Sequence, residues 1–438
     1  MNSPIYDFLV NYAEKNATRM HMPGHKGMGP IGCESYDITE VKGADVLYSA
    51  DGIILESENN ATELFGSYHT FYSAEGSTLS IKAMLALATR GIKKPVILAT
   101  RNAHKAFIYG CALIDIEVRW LYPKEYGHLC SCKISADEVE AAIDDGVSAV
   151  YLTSPDYLGN IQDVKAISEV CHRHGIPLLV DNAHGAYLKF LNPSMHPIDL
   201  GADMCCDSAH KTLPVLTGGG YLHVMNESYC KAARGALSLF ASTSPSYLTL
   251  GSLDLCNKYI ADGYREKLTD FVGEVNNFKA QLNSLGYETV GEEPLKITVN
   301  AASYGYTGTE LCEILRENNI EPEFSDREFL VLMLTPEVKK EDLERTLALF
   351  KSIERKTPIK TEVFTPLCYE KPKTSIRNAI FSNSKTLPLS EALGKITASP
   401  TVSCPPAIPI AVSGEVITEE RIRMFSYYGI DTVDVIDE

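Results

Sequence analysis

Residues 148–181 read SAVYLTSPDYLGNIQDVKAISEVCHRHGIPLLVD, and this stretch decides the fold. Two apolar segments within it, 148–153 and 176–181, have the length and the Val, Ile and Leu content of buried strands. Between them, residues 163–174 have apolar side chains at the spacing of an amphipathic helix. This order predicts a βαβ unit with two parallel strands and a helix that covers one face of their sheet.

The same alternation extends towards the N-terminus. Helices are predicted at 77–90, near 103–113 and at 135–144, with strands at 95–99 and 117–121. Short strands that alternate with helices imply a mostly parallel sheet with helices on both faces. Ligands of such sheets bind beyond the carboxyl ends of the strands, so polar residues at these ends are candidate site residues.

The 438 residues are enough for about two to four domains. A helix at Pro4–Lys15 is predicted in an N-terminal arm, and a long helical stretch near 249–284 links two larger regions. The Lys- and Pro-rich stretch 356–373 is interpreted as a linker, and a Pro-rich loop follows at 404–409. We therefore predict an N-terminal arm or lid (1–45), a large α/β domain (46–265), a small α/β domain (266–365) and a C-terminal domain (366–438).

The composition is that of an acidic globular protein. With 57 acidic and 40 basic residues, the formal net charge is −17. This charge disfavours general binding to nucleic acid, which needs clustered Lys and Arg. An acidic surface could steer cationic substrates, although solubility is the plainer interpretation.

The cysteines and the termini indicate a cytoplasmic location. Of 12 Cys, only Cys130 and Cys132, and Cys205 and Cys206, are close in sequence, and no second pair with His completes a zinc motif. We therefore predict reduced thiols and no metal. The sequence has no basic segment followed by an apolar one, as in a signal peptide, and no apolar run of about 20 residues that would span a membrane.

One lysine and one aspartate carry the strongest chemical signal. Residues 207–213 read DSAHKTL, and Lys211 is followed by three glycines at 218–220, which suits a tight loop beside a cofactor. Thirty residues earlier, Asp181 ends a predicted strand, where a carboxylate can keep a pyridine nitrogen protonated. The structural alternatives are a surface lysine and an aspartate that caps a turn.

Three further loops follow predicted strands or open predicted helices. Ser77 and Thr78 follow Gly76 at the start of a helix, where free N–H groups suit a phosphate, although a plain N-cap would look the same. His104 follows strand 95–99 and could stack on an aromatic ring, although a lone His is usually structural. Another polar turn, 153–159, follows strand 148–153. Together these loops predict a site for a phosphate, a ring, an acid and a lysine.

At this point the chain resembles the Orn/Lys/Arg decarboxylase family of fold-type I enzymes that depend on pyridoxal 5'-phosphate (PLP). The matching stretches are HMPGHKG, DITEVKG, GSTLSIKAMLALA, RNAHKA, TSPDYLG, VDNAHGA, DSAHKTL, STSPSYLTL and PPAIPI. The resemblance implies an aminotransferase-like large domain with a mostly parallel seven-stranded sheet, and smaller α/β C-terminal domains. It also implies the short form, without an N-terminal wing domain, and a homodimer with active sites at the interface.

The resemblance also assigns roles to residues. Lys211 would carry PLP as a Schiff base, Asp181 would pair with the pyridine nitrogen, and His104 would stack on the ring. Ala183 would lie under the ring, and His184 would line the substrate side. The phosphate would be held by Gly76, Ser77, Thr78, Ser208 and His210. Thr243 and Ser244 would reach the cofactor of the neighbouring subunit.

The implied reaction is decarboxylation of arginine, lysine or ornithine, through an external aldimine and a quinonoid, to an amine used in polyamine biosynthesis. Lys211 or His184 would return a proton to Cα. An aminotransferase, lyase or aldolase on the same scaffold is the alternative, and an Arg that clamps a carboxylate would favour the first. Arg327 and Arg377 are expected at the surface instead. A non-catalytic regulator is disfavoured because Lys211 and Asp181 are both present.

Five positions depart from the family pattern, and they leave the substrate open. The family commonly has Asp, His, Asn, Glu and His where this chain has Val46, Tyr48, Glu75, Asn182 and Tyr187. We expect these positions to face the substrate. Carboxylates that could bind its distal cation are Glu75, Asp156 and Glu415, each of which could equally be a solvated or capping residue.

Overall fold

The computed structural model describes residues 1–123, 128–362, 371–400 and 409–437. The predicted boundary at 365/366 and residues 404–408 of the predicted Pro-rich loop lie outside these ranges. The division into an arm and three domains stays a prediction. The chain forms two compact units, of which unit 1 comprises 1–92, 148–151 and 164–267, and unit 2 comprises 93–147, 152–163 and 268–438.

The seven strands of the large sheet include four at the predicted places, near 95–99, 117–121, 148–153 and 176–181. The seven are β1 (His69–Ser73), β2 (Val96–Thr100), β3 (Glu117–Leu121), β4 (Ala149–Thr153), β5 (Leu178–Asp181), β6 (Met204–Asp207) and β7 (Gly220–Val224). Their order in the sheet is β1-β7-β6-β5-β4-β2-β3. The pairs β2–β3 and β5–β6 are parallel, whereas β7 is antiparallel to both β1 and β6. The predicted α/β fold with a mostly parallel seven-stranded sheet is confirmed.

The helices also follow the predicted pattern, with ends that differ by a few residues. Numbered along the chain, they are α1 (Pro4–Glu14), α2 (Ile53–Phe65), α3 (Gly76–Ala88), α4 (Lys105–Ile114), α5 (Ala136–Ala142), α6 (Val164–Arg173), α7 (Ala209–Thr212), α8 (Glu227–Ser238), α9 (Tyr247–Ala261), α10 (Tyr264–Ser284), α11 (Ala301–Tyr304), α12 (Gly308–Glu317), α13 (Lys340–Ser352), α14 (Ile376–Phe381), α15 (Leu389–Ala392) and α16 (Glu419–Tyr427). Short 3-10 helices lie at Leu47–Ser49, Ala186–Phe190 and Pro197–Leu200.

The predicted long helical stretch near 249–284 is two helices, α9 and α10. The break falls at Gly263, which has a φ of 92°. This left-handed conformation ends a helix at little cost for glycine and at a higher cost for other residues. Apolar spacing on both sides of the break is helical, which is why the pattern alone predicted one element.

Helix α1 is fixed to the rest of unit 1 by a buried carboxylate. The Oδ2 of Asp254, on α9, accepts hydrogen bonds from the N–H groups of Ile5 at 2.9 Å and Tyr6 at 3.0 Å. Ser3, the N-cap of α1, makes no capping bond with its side chain. Asp254 therefore takes the place of the missing cap and satisfies two N–H groups at the start of the helix.

Unit 2 contains a second, antiparallel sheet in the order β10-β11-β9-β8. Its strands are β8 (Glu288–Val290), β9 (Lys296–Asn300), β10 (Phe324–Ser325) and β11 (Phe329–Met333), and a separate antiparallel pair follows at β12 (Ser384–Pro388) and β13 (Thr432–Ile436). This confirms the predicted smaller α/β region after the large sheet. Across the described ranges, each helix is too short or too polar to cross a membrane.

Candidate active site

Asp181 ends strand β5, and three donors hold its carboxylate. The Tyr151 hydroxyl donates to Oδ2 at 3.0 Å, and the Ala183 N–H donates to Oδ1 at 3.1 Å. The Cys206 thiol lies 3.6 Å from Oδ1. Asp181 is only 3% exposed. A carboxylate fixed in this way can pair with a buried cation such as a protonated pyridine nitrogen.

Lys211 lies on the single turn of α7, just after strand β6. Its Nζ is 2.9 Å from the Nε2 of His184, which follows Asp181 by three residues. Lys211 is half-buried and His184 is 6% exposed. The structure therefore brings together a lysine amine and an imidazole at a distance at which a proton can pass between them.

The start of α3 and the loop after β6 form one group of donors. The Ser208 hydroxyl donates to the Ser77 hydroxyl oxygen at 2.9 Å, and the Nδ1 of His210 is 2.9 Å from the carbonyl of Gly219. A Cβ atom on Gly76 would lie 3.7 Å from the Cε1 of His210, so these residues are neighbours. Thr78 lies on the first turn of α3 and is exposed.

The residue types here fit pyridoxal phosphate. Hydroxyl groups and a helix N-terminus suit a phosphate, a carboxylate suits a pyridinium, and a lysine suits an aldehyde. The glycine turn next to the start of α3 packs closely against the preceding strand end only because it has no side chain at position 218. Gly218 has a φ of 96°, and a Cβ atom there would lie 2.9 Å from the Ala74 carbonyl oxygen.

Two of the departures from the family pattern lie beside this turn. The half-buried Tyr48 has a raised pKa, first because of burial and then because of the charge of Glu75. Glu75 in turn accepts a hydrogen bond from the N–H of Ser242 at 2.7 Å. Thr243 and Ser244, the next two residues, are exposed. Glu75 thus fixes the start of the segment that was predicted to reach the neighbouring subunit.

The other departures do not share one environment. Val46 is exposed, immediately before the 3-10 helix that contains Tyr48. Tyr187 is fully buried. Asn182 is also fully buried, and its Nδ2 donates to the Oδ1 of Asp207 at 2.7 Å. The expectation that Asn182 faces the substrate is therefore wrong, because the residue is fully buried and its amide nitrogen donates to a carboxylate in the core.

His104 lies in unit 2, as the N-cap of α4. Its Nδ1 accepts the N–H of Ala106 at 3.1 Å, and the side chain is half-buried. This bond fixes the ring close to the carboxyl end of β2, the position from which stacking on a cofactor was predicted. The stacking itself stays a prediction.

Glu415, also in unit 2, is not available for a substrate cation. Both of its oxygens accept from Arg101, at 2.7 and 2.8 Å, and Oε2 also accepts from Arg421 at 3.0 Å. Burial raises the pKa of Glu415, but the two guanidinium groups outweigh burial and lower it overall. The expectation that Glu415 binds the distal cation is therefore wrong, since two buried arginines already neutralise it.

Asp156 supports the capping alternative. Its Oδ1 accepts from the N–H groups of Leu158 at 3.0 Å and Asn160 at 2.9 Å, and burial raises its pKa to about 6. The two arginines considered for a carboxylate clamp, Arg327 and Arg377, are also engaged elsewhere. Arg377 donates to the carbonyls of Ala112 and Leu113, and Arg327 lies over the ring of Tyr427 at 4.7 Å.

One buried group, which consists of Asp207, His196 and His223, is not among the residues predicted from the sequence. Both imidazoles lie 3.0 Å from the Oδ2 of Asp207, and all three side chains are fully buried. A signal was present, because a histidine inside the apolar strand 220–224 needs a buried polar partner. Asp207, at the end of a neighbouring strand, is that partner.

Comparison with known proteins identifies the family. Residues 3–294 match the Orn/Lys/Arg decarboxylase major domain, and residues 359–431 match the C-terminal domain of the same family. The chain belongs to the Orn/Lys/Arg decarboxylase family. An arginine decarboxylase from Bacillus subtilis is 31% identical, over 96% of this chain and 92% of that protein. One from Halalkalibacterium halodurans is 29% identical over 96% and 92%.

Solved structures show the same fold. The constitutive lysine decarboxylase of E. coli has a TM-score of 0.79 at 16% identity and covers 100% of this chain and 82% of that chain. The lysine decarboxylase of Francisella novicida has a TM-score of 0.81 at 15% identity, over 99% and 81%. The predicted family, fold class and enzyme class, a decarboxylase, are confirmed.

Proposed function

We propose that this member of the Orn/Lys/Arg decarboxylase family removes the α-carboxyl group of arginine, lysine or ornithine, with PLP as its cofactor. The observation that carries the proposal is that two neighbouring strands of unit 1 each end in a group of residues suited to PLP. Asp181, held by Tyr151, ends β5, and Lys211, in contact with His184, follows β6. The family and the named activities of its relatives support the same reaction class.

The residues that would hold the cofactor follow from their chemistry. Asp181 would bind the pyridinium, and Lys211 would bind the aldehyde carbon. Ser77, Ser208 and the N–H groups at the start of α3 would bind the phosphate. When bound, PLP withdraws electrons from Cα and so stabilises the negative charge left there when carbon dioxide departs.

Proton transfer is the step that the chain itself performs. After carbon dioxide leaves, Cα needs a proton, and Lys211 and His184 are the proposed donors. The 2.9 Å contact between them lets either residue pass a proton to the other, so that a spent donor is recharged. Burial of His184 keeps bulk water from competing at this position.

The expected binding of the substrate α-carboxylate favours a decarboxylase over an aminotransferase. A leaving carboxylate needs a site that does not neutralise it with a strong guanidinium clamp. Arg327 and Arg377, the arginines considered for such a clamp, contact an aromatic ring and backbone carbonyls instead. We infer that the α-carboxylate is held weakly, so that its loss is not opposed.

The proposal also includes a homodimer in the cytoplasm and a role for the product amine in polyamine biosynthesis. Exposed Thr243 and Ser244, next to the fixed N–H of Ser242, support contact with a second subunit. Ten cysteines of the described ranges are free thiols, which fits a reducing compartment.

The test is a product assay with purified protein and added PLP. Arginine, lysine, ornithine and a panel of other amino acids are supplied separately. Products are identified by mass spectrometry, and carbon dioxide release is measured in parallel. An amine with matching carbon dioxide supports the proposal and names the substrate. A keto acid, or bound PLP without carbon dioxide release, would contradict it and favour another PLP reaction.

A further inference from the structure

Three side-chain nitrogen atoms lie within hydrogen-bond distance of the Asp207 carboxylate in the core of unit 1, and the Cys205 thiol lies 3.7 Å from Oδ1. The Nε2 atoms of His196 and His223 both lie 3.0 Å from Oδ2, and the Asn182 amide donates to Oδ1 at 2.7 Å. Asp207, His196, His223 and Asn182 are each 0% exposed. Three donors around one buried anion replace the water that it would otherwise bind.

The other nitrogens of the imidazoles indicate which way the protons point. The Nδ1 of His196 accepts from the N–H of Ile198 at 3.4 Å, so its proton is on Nε2, towards Asp207. The Nδ1 of His223 lies 2.9 Å from the hydroxyl oxygen of Thr70, and burial lowers the pKa of this imidazole. Burial would raise the pKa of Asp207, but the two histidines outweigh burial and hold it well below its usual range.

A metal ion is a weaker interpretation of the same cluster. His196, Asp207 and His223 do present ligand atoms within 4.8 Å of one another. However, a metal would need the Nε2 lone pair of His196, and the bond to Ile198 places a proton there. The hydrogen-bonded arrangement satisfies all of these groups without an ion.

The cluster joins the two loops that carry the candidate catalytic residues. Asn182 directly follows Asp181, and Asp207 directly precedes Ser208. The side chain of Asn182 donates a hydrogen bond to the carboxylate of Asp207. In addition, the backbone N–H of Asn182 donates to the backbone carbonyl of Cys206 at 3.0 Å. The ends of β5 and β6 are thus tied by a side-chain bond immediately beside both loops.

We propose that Asn182 and Asp207 are a matched pair of positioning residues, which sets the distance between Asp181 and the loop of Ser208 and Lys211. This rests on the proposed function. The pair also explains one departure from the family pattern, which has Glu at the position of Asn182. A carboxylate facing Asp207 at 2.7 Å would repel it or require a proton, whereas the amide donates to it.

The test exchanges the two side chains. Asn182→Asp places two carboxylates face to face, and Asn182→Asp with Asp207→Asn restores an amide opposite a carboxylate. In the double variant, the amide oxygen introduced at position 207 still accepts from both histidines. PLP affinity and the pH midpoint of its visible absorbance band are measured without substrate. We expect Asn182→Asp to weaken PLP binding by at least about tenfold and to move the midpoint, and the double variant to recover most of both.

Asp254→Asn is the matched control, because it neutralises another fully buried acid of unit 1, on α9. It should alter stability but leave PLP affinity and the midpoint unchanged. If Asn182→Asp does not fold, a double variant that folds and binds PLP supports the pair. A double variant no better than Asn182→Asp, or a stoichiometric metal in the wild-type protein, would overturn it. Wild-type protein that binds no PLP would instead contradict the proposed function.

Discussion

Tyr151 is the polar side chain that most directly fixes Asp181. Its hydroxyl lies 3.0 Å from Oδ2, and both residues are buried. We expect Tyr151→Phe to weaken PLP binding by about tenfold, because a hydrogen bond to a charged group is worth about 1.5–3 kcal/mol. The measurement is PLP titration followed by absorbance.

Tyr72→Phe is the control for loss of a buried hydroxyl. Tyr72 is fully buried in unit 1, and its hydroxyl donates to the Ser57 carbonyl at 3.0 Å, not to Asp181. It should lower stability without changing PLP affinity. Equal PLP affinity in wild type and Tyr151→Phe would show that the remaining donors hold Asp181 well enough.

A second prediction for a single residue concerns proton transfer by His184. His184→Ala should lower kcat by about 10²–10⁴-fold, the usual contribution of a general acid or base. PLP should stay bound, because Lys211 is intact. Steady-state kinetics and the visible spectrum measure the two effects.

His172→Ala is the matched control, since His172 is half exposed on α6 and contacts Asp203. Its kinetics should equal those of the wild type. A His184→Ala variant with unchanged kcat and a raised KM would mean that the imidazole binds the substrate and does not move the proton.

At the scale of elements, the carboxyl group of Asp254, which joins α9 to the start of α1, should make stability depend on pH. Burial raises its pKa to about 6. The folded chain therefore holds a proton that the unfolded chain releases near its ordinary value of about 4. The free energy of unfolding should fall as pH rises through this window, and the contribution at pH 7 should be lower than at pH 4 by roughly 2 kcal/mol.

Asp254→Asn should flatten this dependence, because Asn can still accept from the N–H groups of Ile5 and Tyr6 but cannot titrate. Urea unfolding of both proteins at several values between pH 4 and 7 measures the slope. Asp262→Asn, an exposed change at the end of α9, is the control and should keep the wild-type slope. Parallel slopes for wild type and Asp254→Asn would contradict the prediction.

The elements also show how far the sequence could lead. Strand β3 has its predicted bounds, and Asp181 could be recognised because it ends a predicted strand of a parallel sheet. Ser77 could be recognised from the start of a helix, and Lys211 from the glycines that follow it. Contacts between residues that are far apart in the sequence could not be predicted in this way. Ser242 lies 167 residues from Glu75, and Glu415 lies 314 from Arg101. No local pattern encodes such pairs, so Glu415 was wrongly considered a substrate ligand.

At the scale of the whole molecule, the candidate site of one subunit is linked to the segment 242–244. This segment is proposed to contact the cofactor of the neighbouring subunit. Glu75 directly precedes the Gly76 turn and holds the N–H of Ser242, while Thr243 and Ser244 remain exposed. One carboxylate thus connects the turn proposed to bind the phosphate with two exposed residues. In a symmetric dimer, each segment would meet the site of the opposite subunit.

Subunit mixing tests this arrangement. Lys211→Ala should inactivate the site of its own subunit, and Thr243→Glu should inactivate the opposite site by placing a carboxylate near the bound phosphate. Each variant alone should be inactive. Coexpression should restore about one quarter of wild-type activity, because half of the random dimers are mixed and each mixed dimer has one site without either defect.

The control mixes Lys211→Ala with Asp181→Asn, which would both act within their own subunit. Every site in that mixed dimer carries one defect, so activity should stay at background. Size-exclusion chromatography and differential tags verify that mixed dimers form in both cases. Background activity in the first mixture, with mixed dimers present, would mean that Thr243 acts in its own subunit or not at the site. If activity recovers only when Lys211→Ala is mixed with Thr243→Glu, each site contains Lys211 and Asp181 of one subunit and Thr243 of the other.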